Sequence, residues 1–155
     1  MKVLITGGFG FIGGRLGRHL EDCSYEVILG SRKFQKPPNW LPKAKVVKTD
    51  WKNKSALFDL CAGVDVLVHA AGMNAQDCVA YPEKALAFNG NTTSNLVGSA
   101  LKAGVKKFIY LSTAHVYKDP LVGTISESSQ TTNTHPYATS HLAGEIPVLE
   151  ASRRN

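Results

Sequence analysis

Cysteine is scarce in this sequence, and what there is fits neither a bridge framework nor a metal. Cys23, Cys61 and Cys78 are odd in number and far apart, with no C-x-x-C spacing. They read as reduced, mostly buried thiols in a reducing compartment. Long apolar runs are also missing. No stretch approaches the ~20 residues that a membrane span needs, and a strand-like run beginning at Lys2 leaves no room for a signal peptide. The expectation is a cytoplasmic chain with no membrane partner. Acids are scarcer than bases: 12 Asp and Glu stand against 18 Lys and Arg, a formal net charge of +6. The bases are scattered, and the densest cluster is only Arg32, Lys33 and Lys36. A solvated basic surface explains them better than a nucleic-acid face, so nucleic acid is not expected as a partner. His69 and His115 have no carboxylate at ligand spacing, and no metal is expected.

What is present suffices for a packed core. The chain has 155 residues, 43% hydrophobic and 19% charged, which suits one domain over residues 1–155. Apolar strands are expected at Lys2–Thr6, Glu26–Leu29, Lys45–Thr49, Asp65–Ala71 and Lys107–Ser112. Helical spacing is expected over Phe11–Leu20, through Ile12, Leu16 and Leu20, then over Asn53–Cys61, Glu83–Ala103 and Tyr137–Arg153. Gly63 and Gly104 should end the second and third helices, and Pro147 should kink or end the last. Pro37, Pro38 and Pro42 forbid a helix before the third strand, and Gly123–Thr134 reads as loop. Strands alternating with helices imply right-handed crossovers and an α/β, doubly wound parallel sheet. Continuous apolar strands fit burial on both faces.

The first strand runs directly into Thr6-Gly7-Gly8-Phe9-Gly10-Phe11-Ile12-Gly13. Gly8, Gly10 and Gly13 satisfy G-x-G-x-x-G, and Gly7, Gly10 and Gly13 satisfy G-x-x-G-x-x-G. One glycine permits the tight turn, another lets backbone approach a pyrophosphate, and a third lets the helix pack on the strand. The free N–H groups and dipole of the helix start then hold the phosphates. A nicotinamide dinucleotide is therefore the expected cofactor. At the end of the second strand an acid would hold the ribose hydroxyls of NAD. This chain instead has Gly30-Ser31-Arg32-Lys33. Ser31 and Arg32 suit a 2′-phosphate, so NADP is preferred over NAD.

Several runs occur in one order: the glycine loop, HAAG at 69–72, Asn89, YLSTAHVY at 110–117 and YATSHLAGE at 137–145. Together they resemble the extended short-chain dehydrogenase/reductase family, and within it the NAD(P)-dependent nucleotide-sugar epimerases and dehydratases. The resemblance covers essentially the whole chain. It implies a Rossmann-type sheet of order 3-2-1-4-5 and hydride transfer on a nucleotide-sugar-like substrate. By the same resemblance, Tyr137 is the general acid/base, Thr113 hydrogen-bonds the reacting oxygen, and Asn89 is the structural and proton-relay residue of the long helix. Asp50, with Trp51 beside it, matches the acid after the third strand that contacts adenine. Ala70, Ala71 and Gly72 match the loop beside the adenine ribose. Read from the residues alone, Trp51 and Trp40 are packing residues first. Met73 and Asn74 read equally as plain loop or as facing the nicotinamide.

The chain departs from the family at one position. Where Tyr-x-x-x-Lys is expected it has Tyr137-Ala138-Thr139-Ser140-His141. Residues four apart share a helix face, so His141 points into the same cofactor site as Tyr137. A phenol with its ordinary pKa of about 10 is a poor base at neutral pH and needs a nearby cation. His141 either substitutes for lysine when protonated, or supports a weaker or different reaction, or marks a chain that binds NADP without turnover. The family also continues past the tyrosine helix into a small domain that grips the sugar nucleotide. The expectation is therefore an NAD(P)-binding domain lacking that substrate domain, weak in cofactor binding, and either marginal in stability or a homo-oligomer.

Overall fold

A computed structural model describes residues 1–154. They divide into two compact units, each described by itself. The first comprises Met1–Gly72 and Asn95–Leu111. It holds a five-stranded, wholly parallel sheet of β1 (Lys2–Thr6), β2 (Glu26–Ser31), β3 (Lys45–Lys48), β4 (Val66–His69) and β5 (Lys107–Tyr110). Their order is β3-β2-β1-β4-β5, the Rossmann-type arrangement that the resemblance implied.

Alternation along the strands divides the core into two layers. Leu4, Ile28 and Leu67 face one side, where they meet Leu57 and Cys61 of α2 (Lys54–Cys61) and Leu96 and Ala100 of α5 (Thr93–Lys102). Val3, Ile5, Val27, Leu29 and Val68 face the other, with Leu16 and Leu20 of α1 (Phe11–Asp22) packed against them. Both faces are covered, which is why the strands read as unbroken apolar runs. Asn53 caps α2, its side chain accepting from the Ala56 amide at 3.1 Å. Gly63 and Gly104 follow α2 and α5 at φ of +69° and +75°.

One face expected from spacing is corrected. Ile12 is 60% exposed, and the buried stripe of α1 is Gly13, Gly14 and Gly17. A Cβ at Gly17 would stand 3.1 Å from Leu41 and 3.3 Å from Leu29. The helix thus lies on the sheet through its glycines, and the apolar residues of its first turn point outward.

The second unit comprises Met73–Ser94 and the chain from Ser112 on. The long helix expected over Glu83–Ala103 is interrupted in pitch: α4 (Pro82–Ala85) leads into a π-helical stretch, Leu86–Thr92, before α5 begins. A short helix, α3 (Ala75–Ala80), precedes it and was not read from the sequence. Its signal is Asn74-x-x-Asp77: the Asn74 side chain accepts from the Asp77 amide at 2.8 Å and donates to the Asp77 carboxylate at 2.9 Å, a capping pattern. The last helix, α6 (Pro136–Arg154), runs on through Pro147 and does not end there. The segment 123–134 has no regular structure.

Two measurements check this core. Leu67 is fully buried, and Leu67→Ala should lower the unfolding free energy by about 2–5 kcal/mol in a urea titration. Cys61 and Cys78 are buried and Cys23 is exposed, and burial pushes the Cys61 thiol up to about 11. A charged disulfide reagent at mildly alkaline pH should therefore modify Cys23 alone in the folded chain, and all three thiols after unfolding.

Candidate functional site

In the first unit the site begins where β1 ends. Gly7 sits at φ +68°, a left-handed conformation that favours glycine. Its carbonyl accepts from the Gly10 amide at 2.9 Å, closing the turn. A Cβ at Gly7 would fall 2.7 Å from the Ala70 carbonyl oxygen, and one at Gly13 would fall 2.5 Å from the Gly7 carbonyl oxygen. Both contacts are backbone, so neither can yield cheaply. Gly10 is the N-cap of helix α1, which has no side-chain cap and no acid in its first turn. Its first amides and its positive dipole end are left for an anion. Phe9, Phe11 and Ile12 are exposed around this start, at 37%, 77% and 60%.

The ends of the neighbouring strands carry the other expected residues. Ser31 ends β2 and is buried; its hydroxyl accepts from the Lys33 amide at 3.2 Å and the Gln35 side-chain amide at 2.7 Å. Arg32 is exposed. Asp50, after β3, is exposed and accepts from the Lys52 amide at 3.1 Å. Trp51 is half-buried against the α2 side of the core, its ring 5.8 Å from that of His69. This joins the packing reading of Trp51 to its place beside Asp50. Ala70 and Ala71 lie directly against Gly7. The carboxyl ends of β1 and β4, where strand order reverses, are the switch point at which open α/β sheets take ligands.

In the second unit Asn89, Ser140, Tyr137 and His141 form one connected group. Asn89 is buried in the π-helical stretch. Its side-chain oxygen accepts from the Met73 amide at 2.9 Å, and its amide donates to Ser140 Oγ at 3.0 Å. Ser140 in turn donates to the Tyr137 carbonyl at 3.1 Å. The same carbonyl accepts from His141 Nδ1–H at 2.8 Å, since a carbonyl has no proton to give. The Tyr137 and His141 rings lie 4.3 Å apart. Burial, the largest effect, lowers the His141 pKa, against the raising pull of the Tyr137 carbonyl and of Glu145 one turn on. Glu145 itself accepts from Ser112 Oγ. Thr113 caps a short turn, Ala114–Val116, its hydroxyl accepting from the His115 amide at 3.2 Å.

The structure therefore joins Asn89 to the Tyr137–His141 turn, and gives the Thr113 hydroxyl a local bond of its own. Sequence reasoning missed Ser140, although it sits inside the run that carried the resemblance. It also missed Gln35, whose bond to Ser31 no spacing rule announces. Among the described residues no group of three or more His, Cys, Asp or Glu could hold a metal ion, and no helix is long and apolar enough to cross a membrane.

Comparison with known proteins agrees with this geometry. Over 162 residues the chain is 31% identical to a UDP-glucose 4-epimerase of Azospirillum brasilense, covering 97% of this chain and 44% of that protein. It is 29% identical over 157 residues to the low-salt glycan biosynthesis protein Agl12 of Haloferax volcanii, covering 96% of this chain and 51% of that one. The chain thus spans about half the length of these two relatives. Among solved structures, the UDP-Glc/GlcNAc 4-epimerase of Campylobacter jejuni matches with a TM-score of 0.88 at 28% identity, over 99% of this chain and 50% of that one. A dTDP-glucose 4,6-dehydratase of Streptomyces venezuelae, solved with NAD bound, matches with a TM-score of 0.87 at 29% identity, over 99% of this chain and 52% of that one. The model of the NAD dependent epimerase/dehydratase family matches residues 3–155, and with nearly its whole length so matched the chain belongs to that family.

Proposed function

We propose that this chain binds a nicotinamide dinucleotide, NADP in preference to NAD, and acts on a nucleotide sugar by hydride transfer with Tyr137 as acid/base. The observation that carries the reading is the cradle at Gly7–Gly13. A Cβ at Gly7 or Gly13 would strike backbone, and the helix start behind them has no side-chain cap. That combination suits a pyrophosphate: close backbone approach, orphan amides and a favourable dipole. The named activities of the relatives support the sugar-nucleotide class, and the dehydratase solved with NAD supports the cofactor class.

The preference for NADP rests on the end of β2. No acid stands there to pair with ribose hydroxyls. Ser31 Oγ accepts twice within its own loop, which leaves its proton to donate to a 2′-phosphate oxygen. Arg32 adds an exposed cation beside it. Asp50 and Trp51 serve the adenine, and Ala70, Ala71 and Gly72 its ribose. The bound dinucleotide supplies the hydride acceptor. Tyr137 takes or returns the substrate proton, Thr113 orients the reacting oxygen, and Asn89 holds the Tyr137–His141 turn through Ser140.

A second reading is favoured by His141. A buried imidazole with lowered pKa is a poor replacement for a permanent lysine cation. On that reading the chain binds or senses NADP without turnover.

Two experiments test these readings. Calorimetric titration should give tighter binding of NADP than of NAD, and Arg32→Ala should cost NADP about tenfold while leaving NAD nearly unchanged. Equal affinity for the two in the unmodified chain would refute the preference. With UDP-glucose or dTDP-glucose as substrate, Tyr137→Phe should lower turnover about 10²- to 10⁴-fold with dinucleotide affinity retained, and His141→Lys should raise it. Dinucleotide binding with no turnover in either the parent or the His141→Lys chain would establish the second reading instead.

A further inference from the structure

The carboxyl ends of β1 and β4 carry a side-chain pair that has no part in the chemistry above. Thr6 and His69 are register partners at the ends of neighbouring parallel strands. They are 0% and 1% exposed. Thr6 Oγ1 and His69 Nδ1 lie 2.6 Å apart. The Ala71 amide donates to the same hydroxyl at 3.4 Å, and the Ala70 amide donates to the Thr6 carbonyl at 3.2 Å.

Proton accounting gives the short bond its direction. If His69 Nδ1–H donated, the hydroxyl would accept twice and its own proton would need another acceptor in a fully buried place. With the hydroxyl donating to Nδ1, its proton goes to the ring and a lone pair goes to Ala71, so the hydroxyl both donates and accepts. His69 is then neutral with its proton on Nε2. The rings of Trp51, Tyr110 and Phe108 surround it at 5.8, 5.7 and 6.3 Å, so packing sets its orientation.

The segments that leave this pair are the glycine loop and Ala70–Gly72, and they press backbone against backbone at Gly7. We propose that Thr6 and His69 form a positioning pair for dinucleotide binding, fixing the loop after β1 and the loop after β4 in the one relative placement that receives a single ligand across both. His69 touches no ligand and acts through the Thr6 hydroxyl and the Ala71 amide. The inference rests on the dinucleotide reading above.

The test uses the full chain with nitrogen-15-labelled histidine, together with calorimetric titration of NADP and NAD. In the unmodified chain the assigned His69 resonances should show Nδ1 bare and hydrogen-bonded and Nε2 protonated. Thr6→Val keeps the shape and removes the hydroxyl; it should abolish that signature and weaken both dinucleotides about tenfold. Thr6→Ser should restore both. Should Thr6→Val not fold, His69→Asn, whose oxygen can stand near the place of Nδ1, should bind as the parent does, and His69→Phe should not. A parent His69 with its proton on Nδ1, or a Thr6→Val chain that melts earlier yet binds with parental affinity, would overturn the positioning role alone. A parent that binds neither dinucleotide would overturn this role and the proposed function together.

Discussion

The sheet unit depends on one close approach. Backbone of the loop after β1 touches backbone of the loop after β4 at Gly7, and touches the start of α1 at Gly13. A side chain at either position would separate these segments by more than packing can absorb, because interiors are dense and the struck atoms are main chain. The approach sets where α1 begins. It also explains the glycines on the sheet side of that helix: an axis held near β1 and β2 brings Gly17 close against Leu29 and Leu41, where even a Cβ would press on their side chains. The exposed Phe11 and Ile12 are the counterpart of that geometry. With the buried face taken by glycine, the bulky residues of the first turn can only point away from the sheet.

The second unit is organised around a carbonyl. The Tyr137 oxygen accepts from Ser140 and from His141, and Ser140 is tied through Asn89 to the Met73 amide. The Asn89–Ser140 bond is buried and the other three are part-buried, and an unmet polar group away from water is expensive. The π-helical stretch fits the same account. It carries Asn89, whose carbonyl accepts from Thr93 Oγ1 at 2.6 Å, and it packs Gly90 within 3.1 Å of Ala143, measured to a Cβ built on the glycine. A widened turn of this kind re-aims a side chain without breaking the helix.

Much of this was legible in the sequence, for identifiable reasons. The strands and the glycine loop announce themselves because burial on both faces and close backbone approach each demand a narrow choice of residues. The resemblance supplied the strand order, which periodicity alone does not contain. The face of α1 was misread at its first turn, because helical spacing counts Ile12 with Leu16 and Leu20, which do pack on the core, and has no way to score glycine as a packing residue. The π-helical stretch was invisible because its seven residues, LAFNGNT, carry no proline and a single glycine, Gly90, does not distinguish a widened turn from an ordinary one. Helix α3 was missed for a simpler reason: six residues are too few for periodicity, and only the Asn74–Asp77 cap betrays it. Thr6 and His69 were each visible, but their pairing comes from strand register, which becomes known only with the sheet.

The exchange of lysine for His141 has an electrostatic consequence independent of any assay. A lysine one turn after a tyrosine carries its charge across the whole neutral range. His141 does not, because burial favours its neutral form. In the unfolded chain the same imidazole takes up its proton near the ordinary pKa of about 6.5. The unfolded state therefore binds the proton first, and folding loses stability as the pH falls below that value. Charge at His141 is thus available only on the acid side, where the fold is least favoured. A tyrosine phenol gives up its proton only on the alkaline side. Near neutral pH, where burial favours the neutral ring, His141 offers its surroundings less charge than a lysine would. What it retains is geometric: its Nδ1–H bond to the Tyr137 carbonyl fixes the imidazole, and the two rings lie 4.3 Å apart.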